Sequence, residues 1–578
     1  IDDLSVNWYL NDYLTLKGQF SITKQYSDSE RFYDPLSSKI SVYGVKDETA
    51  DTMRGDLYIT KGGSMNWNTN AFLFYTRSFG KHNFNFSGGW EAAASNLDNT
   101  SAHYRGFPSG EFNSLNYAAE VYKKPLRTEN TTRRVSALGT MNYTWNDIYL
   151  ADASVRFDGS SEFGANQKWA PFFSGGLGVN IHNYDFLKGN ASINRLKVRA
   201  SYGRTGKVNF PAYAATTMYE SLFDEWYVTG YGVVLKALGN NDLTWEKTDK
   251  FNFGLDAQFF NQRLTVFNYY YEKTKDLIND VTLSTTSGFS TYKNNMGEVE
   301  NKGLELQVRA DVYRDRNWTV ALWGNMAHNK NKILKISDSQ KAYNQRVTEY
   351  YKKAQQSQSI YDESSSDANY AIPIPQYAEG QSLTSIWAVR SLGIDPTTGK
   401  ELFLNRNGSV TDEWDATQEV VVGNTEPKLN GSLGFNASYK NWSLFAAFQY
   451  EFGGQEYNQT LVDRVENAGI AYGNVDLRVL TDRWQKPGDV AQFKNIADSK
   501  LTTLPTSRFV QDKKYIRLTA LTLSYDFNRE WIKKHLHMNM LRLEASGSDF
   551  INWNSIRQER GLSYPKSWKI DFSLKAQF

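Results

Sequence analysis

The stretch 301–326 shows the clearest alternation of apolar and polar side chains in the sequence. From Leu304 to Val312 every second residue is apolar, and the residues between them are charged or carry an amide. A period of two is typical of a β-strand with two different faces. After a polar turn at 314–317 the alternation resumes at Trp318, so the stretch predicts an antiparallel hairpin.

The length and one-sidedness of this hairpin favour a membrane strand over a soluble one. Strands of soluble sheets usually have about 5 to 6 residues, whereas a strand that crosses a bilayer needs roughly 9 to 11. Lipid on one face and water on the other produce this sustained alternation. We therefore expect Leu304, Leu306 and Val308 to face lipid, and burial of these side chains beneath a second protein layer would contradict the prediction.

The same alternation recurs along the whole sequence. It predicts about 17 strands, near residues 4–10, 13–24, 55–79, 84–90, 135–145, 149–157, 168–181, 195–206, 251–259, 263–273, 304–312, 318–326, 427–439, 442–457, 515–527, 541–551 and 568–578.

The connections between these strands alternate between very short and long. The longest are predicted at 337–426, which has helical character at 346–358, and at 459–514; polar loops are also predicted at 26–54, 91–129 and 207–243. Long outer loops and tight periplasmic turns are typical of outer-membrane barrels, so the predicted fold is all-β, a transmembrane antiparallel β-barrel. The predicted periplasmic turns are Asn11-Asp12, Gly80-Lys81, Asn146-Asp147, Asn261-Gln262 and Lys440-Asn441.

An odd number of strands predicts that the barrel needs further strands. Bacterial single-chain barrels have an even number, and an edge strand with unpaired N–H groups cannot face lipid. We therefore expect that Ile1 is not the natural start, and that the remaining strands come from the same natural chain or a second one. Direct pairing of the strand near Leu4 with the strand near Phe572 would contradict this.

Composition agrees with a barrel and limits the alternatives. The 578 residues are 15% aromatic, yet mean hydropathy is −0.58 and no run of about 18 apolar residues occurs, which excludes a helical membrane protein. There is no cysteine, and the net charge of +2 brings no basic stripe for nucleic acid. With six histidines and no catalytic motif, we expect no enzyme, no cofactor and no metal site. The segment 395–401 has oxygen side chains at calcium-like spacing, but a Pro/Gly turn explains it better.

A few aromatic residues are weak candidates for function. Trp67, Trp226, Trp387 and Trp414 lie in or near predicted loops and could stack on sugar rings or peptide side chains; the alternative is loop packing or the aromatic belt at the membrane interface. Phe578 ends an alternating strand and resembles the signal by which outer-membrane barrels are recognised for insertion; its alternative is an ordinary lipid-facing residue.

Several short motifs together resemble the SusC/RagA family of TonB-dependent outer-membrane transporters of Bacteroidetes. Each is weak alone, but their order and spacing from about residue 55 to the end are specific. They are 149–150 with 156–161, Phe163-Gly164, 196–203 with Thr205-Gly206, 243–247, 254–256, 270–271 with 275–277, 301–303 with Glu305, Arg483-Trp484 with 487–489, and 515–518 with 523–525.

The resemblance implies a 22-stranded barrel, plugged by an N-terminal domain, that imports large nutrients when the periplasmic TonB protein acts on the plug. A SusD-type surface lipoprotein typically covers the mouth of such a barrel. In this sequence the plug, the TonB-contacting segment and about five strands have no counterpart, so 1–578 is expected to be the C-terminal barrel portion.

Three functions remain open at this point. The first is active import of an oligosaccharide or oligopeptide, with a slight preference for glycans; the second is a passive porin-like pore; the third is an adhesin or receptor scaffold that displays loops. Leakage of small solutes from liposomes in the absence of TonB would separate the pore from the transporter.

Overall fold

The computed structural model describes most of the chain. The described residues are 2–37, 54–208, 210, 212–228, 230–260, 263–282, 291–295, 297–359, 368–468, 475–497, 502–527, 529–557 and 568–577.

One antiparallel sheet of 18 strands dominates the structure. Its strands are β1 (Asp2–Asn11), β2 (Leu14–Tyr33), β3 (Asp56–Phe79), β4 (His82–Arg105), β5 (Glu120–Trp145), β6 (Tyr149–Ser160), β7 (Trp169–Asn180), β8 (Ile193–Lys207), β11 (Glu246–Phe259), β12 (Arg263–Lys275), β15 (Glu298–Arg314), β16 (Trp318–Lys335), β22 (Leu429–Tyr439), β23 (Trp442–Tyr457), β24 (Val510–Asp526), β25 (Met540–Ser548), β26 (Asn552–Asn554) and β27 (Lys569–Gln577). The other strands are short and lie in the connections between the strands of the main sheet. These are β9 (Met218–Tyr227), β10 (Gly230–Ala237), β13 (Ile278–Thr282), β14 (Thr291–Asn295), β17 (Ser385–Ala388), β18 (Arg390–Ile394), β19 (Glu401–Leu404), β20 (Val410–Thr411) and β21 (Val420–Asn424).

From β1 to β25, each strand of the main sheet pairs with the next main-sheet strand along the chain, and β27 pairs with β25. Because β25 and β26 both pair with β24, the two occupy one position beside it, and the sheet has 17 adjacent positions among the described residues. The sequence prediction of about 17 strands in an all-β antiparallel barrel fold is confirmed. Among the described pairings β1 contacts β2 and β27 contacts β25, and no ladder joins β1 to β27.

The hairpin of β15 and β16 has the predicted faces. Leu304 and Val308 are each 38% exposed and Leu306 is half-buried, so no second protein layer covers them. Leu306 pairs with Met326 on one side and with Phe267 on the other, which continues the apolar stripe across three strands. We call this the outer face of the sheet, and the opposite, polar face is the inner face.

Tight connections lie at one end of the sheet. Gly80, Asn146, Asp147 and Lys440 all have positive φ, as is common in the two- and three-residue loops of hairpins. The turn between β1 and β2 is equally short, and there the Tyr13 N–H donates to Asn11 Oδ1 (2.9 Å). The predicted turn at Asn261-Gln262 lies outside the described residues. Two connections at this end are longer and contain short helices, at Ile181–Asn183 and Arg529–Leu536.

Three predicted loops contain more strand than the alternation indicated. The predicted loop 91–129 is mostly strand, since β4 continues to Arg105 and β5 begins at Glu120. Likewise β2 continues to Tyr33, and the predicted loop 207–243 contains the β9–β10 hairpin. The alternation fades in these extensions because both faces meet water; the first ten residues of β5 are all exposed.

The two longest connections fold together into a compact structure that we call the cap, residues 336–428 and 458–509. The first segment contains a helix at Asp338–Ser359 and strands β17 to β21; the second contains short helical segments, among them Val462–Glu466. The predicted helix at 346–358 lies within the observed one. In the described part of the chain, no helix has both the length and the apolar character that a membrane span requires.

Candidate binding surface on the inner wall and at the mouth

The inner face carries a patch of neutral amides, hydroxyls and a few charges. This inner-wall patch spans β8, β11, β12, β15 and β16 and surrounds a cleft of about 440 Å³. Its lining consists of Arg199, Ser201, Asn252, Asn268, Tyr270, Glu272, Asn301, Glu305 and Asn329. These side chains can donate and accept hydrogen bonds at many points, so the wall suits a polar solute with hydroxyl or amide groups.

The Tyr270 ring lies flat against the wall because the opposite position is a glycine. Tyr270 pairs with Gly303, and a Cβ at Gly303 would lie 2.5 Å from the Tyr270 hydroxyl and would also collide with the His328 carbonyl. The hydroxyl donates to Asn329 Oδ1 (2.9 Å), which fixes the side chain across two strands. The glycine therefore positions a lumen-facing phenol.

Motif segments that are distant in sequence meet at the end of the sheet opposite the tight turns, which we call the mouth. The Gly164 N–H donates to the Leu243 carbonyl (3.1 Å), and the Ile278 N–H donates to Glu246 Oε1 (2.9 Å). Asn295 is a central link, since its Oδ1 accepts from the Thr244 N–H (2.8 Å) and its Nδ2 donates to the Thr244 carbonyl (2.7 Å). The same amide also donates to the carbonyl of residue 276 (2.8 Å).

A small apolar core, the mouth cluster, holds these loops together. Trp245 stacks on Phe163 with ring centroids 4.2 Å apart and meets Phe172 edge-on at 5.5 Å. The buried members of the cluster are Phe163, Ala170, Phe172, Ala215, Leu243, Trp245 and Ile278. The residues of these motifs therefore pack against each other and hold the loops of the mouth in a fixed arrangement.

The two segments of the cap interlock through a buried group of charges. The Arg508 guanidinium lies between Glu401 and Glu466, with Nη2 2.8 Å from Glu401 Oε2 and 2.6 Å from Glu466 Oε1. Thr506 Oγ1 donates to Glu401 (2.6 Å) and Thr503 Oγ1 donates to Glu466 (3.2 Å). Because Glu401 belongs to the first cap segment and the others to the second, this network joins the segments.

The pKa values in the cap follow these contacts. Burial raises the pKa of Glu401, but the ion pair with Arg508 and its hydrogen bonds outweigh burial, so the pKa lies below its usual range. Glu419 is in the opposite situation. Burial raises its pKa to about 8, and the hydrogen bond from Gln376 and the charge of Arg406 offset burial only in part. Glu419 Oε1 is buried with no hydrogen-bond partner among the described residues.

The structure separates the four candidate tryptophans. Trp67 lies in the middle of β3 between Ile22 and Ala94, on the outer face with Leu73, which is the membrane-belt alternative. Trp414 lies in the cap core, where its indole N–H donates to the Pro505 carbonyl (2.9 Å), which is the loop-packing alternative.

The structure says less about the roles of Trp387 and Trp226. Trp387 is half-buried in β17, and its indole N–H has no hydrogen-bond partner among the described residues. Trp226 lies in β9, where its backbone pairs with Tyr231, and its side chain is outside the described residues. Phe578 also lies outside the described residues, so its role as an assembly signal stays a prediction.

The segment 395–401 is a hydrogen-bonded turn. The Asp395 carboxylate accepts from the Thr397 N–H (3.0 Å) and from Thr398 Oγ1 (2.7 Å), and the Gly399 N–H donates to the Asp395 carbonyl (2.8 Å). Since Glu401 pairs with Arg508, the oxygens of this segment are used by the protein itself.

The wide antiparallel sheet, with an apolar outer face, a polar inner face and long connections at one end, defines an outer-membrane β-barrel. The chain belongs to the family of TonB-dependent receptor barrels, because the family model described as "TonB dependent receptor-like, beta-barrel" matches residues 2–502. It is 29% identical to TonB-dependent receptor P3 of Formosa agariphila over 83% of this chain and 47% of that protein. It is 26% identical to TonB-dependent receptor SusC of Bacteroides thetaiotaomicron over 81% of this chain and 44% of that protein. The chain therefore spans about half the length of these relatives.

Solved structures agree on the fold. A structure titled "Structure of the RagAB peptide importer in the 'open-open' state" superposes with a TM-score of 0.81 at 21% identity, and covers 100% of this chain and 60% of the other. A second, titled "Structure of the RagAB peptide transporter", has a TM-score of 0.78 at 22% identity, over 96% of this chain and 58% of the other. At these identities the likeness concerns the fold alone.

Sequence reasoning missed several residues of this surface. Asn295, Ile278 and Arg508 were not recognised, because each acts through a partner far away in sequence. The only available signal was the convergence of motif segments, which becomes meaningful once their loops are placed together.

Proposed function

We propose that this chain is the barrel wall of a TonB-dependent importer that carries a large nutrient across the outer membrane. A plug domain and further strands, from the same natural chain or a second one, would complete it. A periplasmic TonB complex would supply the energy, because the outer membrane has no nucleotide supply of its own. The observation that carries the proposal is membership of the TonB-dependent receptor barrel family, combined with a polar inner wall beneath a folded cap.

We propose an oligosaccharide or an oligopeptide as the solute, and a SusD-type surface lipoprotein as a partner at the mouth. The amides and phenols of the inner wall suit both kinds of solute. The same two classes are the solutes expected from the resemblance to the SusC/RagA family. The slight preference for glycans from the sequence stays a prediction.

The chain is proposed to transport its solute without covalent change. Transport requires recognition at the mouth, passage along the inner wall and release, and none of these steps breaks a bond. The imported solute should therefore be recovered chemically intact from the periplasm, and recovery of a cleaved product would argue for an enzymatic function.

The test uses cells that carry the natural full-length protein, with and without TonB. Uptake of labelled oligosaccharides and oligopeptides should be lost when TonB is deleted. In parallel, the purified full-length protein is placed in liposomes without TonB, where small solutes should not leak. Ready leakage would support the porin-like pore, and uptake of neither solute together with tight binding of cells to a surface would support the adhesin scaffold.

A further inference from the structure

A cationic cleft, distinct from the inner-wall patch, lies next to the mouth cluster. We call it the mouth cleft; it measures about 370 Å³. Its lining comes from the middle of β5, from the ends of β6 and β8, and from the residues just after β8 and just before β11. The lining residues are Arg134, Ser136, Arg156, Asp158, Gly159, Gly206, Lys207, Val208 and Trp245. Three cations and one carboxylate therefore face a space large enough for a small group of a larger solute.

One of the three cations is largely committed to protein partners. Arg156 Nε donates to Asp158 Oδ1 (2.5 Å), and its Nη2 donates to Glu91 Oε2 (3.1 Å) and to Ser136 Oγ (2.9 Å). These contacts hold Arg156 in place. Arg156 also pairs with Asp158, the one carboxylate among the residues that line the mouth cleft. Its role is to shape the cleft and to neutralise Asp158.

The other two cations keep hydrogen-bond donors available. Arg134 makes one described side-chain contact, Nη2 to Glu162 Oε2 (3.2 Å), and its side chain is 57% exposed. A guanidinium has five N–H donors in a planar fork, so several remain for a ligand. Within the described part of the chain, no carboxylate lies within 4.0 Å of Lys207 Nζ, although this lysine lines the same cleft.

The ring of Trp245 forms part of the wall of the mouth cleft. Trp245 is 6% exposed, and its ring is fixed by stacking on Phe163. Its Nε1 is buried with no hydrogen-bond partner among the described residues. Because this nitrogen is buried, a ligand in the mouth cleft would contact the ring and not the N–H.

We propose that the mouth cleft binds an oxyanion, a carboxylate or a sulfate, carried by the imported solute. Arg134 and Lys207 would supply charge-assisted hydrogen bonds to the oxygens of a planar or tetrahedral anion, and the Trp245 ring would supply a fixed wall. The proposal deepens the proposed function and rests on it, because it makes the solute an acidic oligomer. Recognition at the mouth would then select charged solutes before they reach the neutral amides of the inner wall.

The test locates the anion directly in the natural full-length protein. Crystals are soaked with selenate, which represents a sulfate group, or with bromoacetate, which represents a carboxylate, and anomalous scattering locates selenium or bromine. We expect a peak in the mouth cleft at a position that lets the oxygens of the anion accept hydrogen bonds from Arg134 and Lys207. A peak with bromoacetate alone assigns the cleft to carboxylates, and a peak with selenate alone assigns it to sulfates.

Matched variants separate a built site from a chance contact. Lys207→Gln should reduce the anomalous peak to less than half, and Arg134→Lys should retain more of it than Arg134→Gln. Lys197→Gln is the control, since Lys197 lies on β8 ten residues earlier, about 33 Å along the strand, and should leave the peak unchanged.

Two results would overturn the proposal. One is the absence of a peak in the mouth cleft with both anions. The other is a peak that survives in the Arg134→Gln, Lys207→Gln double variant, which would indicate an adventitious ion only. Because this measurement needs neither TonB nor uptake, a negative result would leave the import function standing, and a failure of import would leave the anion site standing.

Discussion

Single residues in the cap show how the partners of a buried carboxyl decide its net pKa shift, because burial raises the pKa of both Glu401 and Glu419. Glu401 and Glu466 are buried against Arg508, where a cation and hydroxyl donors compensate for the lost water. Glu419 is equally buried, but its described donor is an amide, from Gln376. The carboxyl of Glu419 therefore favours the neutral form in the folded cap.

Glu419 should make the stability of the cap depend on pH. The pKa of Glu419 is raised from 4.5 to about 8 in the folded cap. The stability that its neutral carboxyl contributes to the cap is therefore fully present below the unfolded pKa and is lost as pH rises through the folded pKa. At on the order of 1.4 kcal/mol per pKa unit, the loss amounts to a few kcal/mol. We expect Glu419→Gln to abolish most of this loss, measured as resistance of the cap to proteolysis from about pH 5 to about pH 9.

The matched control for this prediction is Glu413→Gln, since Glu413 is exposed in the same cap segment. Glu413→Gln should leave the pH profile unchanged. An identical loss of resistance at high pH in Glu419→Gln and in the unmodified protein would show that another group is responsible.

Gly303 should tolerate no side chain, because a Cβ there would collide with the His328 carbonyl and with the Tyr270 ring. Gly303→Ala forces the Tyr270 ring off the wall, and overpacking of this kind costs about 1 to 3 kcal/mol. We expect a lower midpoint of thermal unfolding. The midpoint is measured from the shift in electrophoretic mobility that folded barrels show in detergent.

Gly324 provides the comparison, because a Cβ there would lie 3.5 Å from its nearest neighbour, the Ser432 carbonyl, at ordinary contact distance. Gly324→Ala should leave the unfolding midpoint nearly unchanged. Equal effects of the two substitutions would mean that strand glycines matter here through backbone freedom alone.

At the scale of elements, the cap depends on contacts between its two segments. Val389 forms a parallel bridge with Thr506, the Trp414 indole donates to the Pro505 carbonyl, and the Ser507 N–H donates to the Val389 carbonyl (2.9 Å). Leu504 of the second segment completes the apolar core of the first. The two connections therefore form one folded element.

Arg508→Met should loosen the cap by leaving two carboxylates buried without a cation. Removal of one partner from a buried ion pair costs about 3 to 5 kcal/mol. We expect faster proteolysis within 336–428 and 458–509 while the main sheet keeps its unfolding midpoint. Lys486→Met, at an exposed position of the same segment, should have no effect.

A compensated variant tests the cause. If Arg508 acts by neutralising the carboxylates, the triple variant Glu401→Gln, Glu466→Gln, Arg508→Met should be more resistant to proteolysis than Arg508→Met alone, because neutral amides need no cation. A triple variant as sensitive as the single one would show that the arginine acts through packing, for instance on the Phe509 ring, 4.4 Å away.

At the scale of the whole molecule, the two faces of the sheet meet different solvents. Leu306 lies in the middle of β15 on the outer face and Gln307 follows it on the inner face. An arginine on the lipid face near the bilayer midplane costs about 2 to 4 kcal/mol, whereas the water-filled side accepts it.

Leu306→Arg should therefore reduce folding of the full-length protein into lipid bilayers, measured by the mobility shift of the folded form. Gln307→Arg is the matched control, one residue away with the same new side chain, and it should fold as the unmodified protein does. Equal folding of the two variants would contradict the assignment of faces on which the barrel fold rests.

The strands and their faces could be predicted because alternation is a local property. Leu304, Leu306 and Val308 face lipid for reasons contained in their own segment. The strand ends near Arg105 and Glu120 could not be predicted, because above the membrane both faces meet water and the alternation loses its cause.

The residues of the candidate site were harder to predict from the sequence than the strands. Trp414 has the same local sequence whether it stacks on a solute or packs in the cap, and only its contacts with Tyr351 and Pro505 decide between the two. The same holds for Lys207 and Trp245, which lie on different connected elements and meet in the mouth cleft only in the folded barrel.

The sequence by itself determined the all-β class, the number of strand positions and the face that each strand turns to lipid, because hydrocarbon and water act on neighbouring side chains one at a time. Only the tertiary structure decided that the longest connections fold into a cap around Arg508 and that distant motifs meet at Asn295. These arrangements arise from contacts between residues far apart along the chain, and no local period records them.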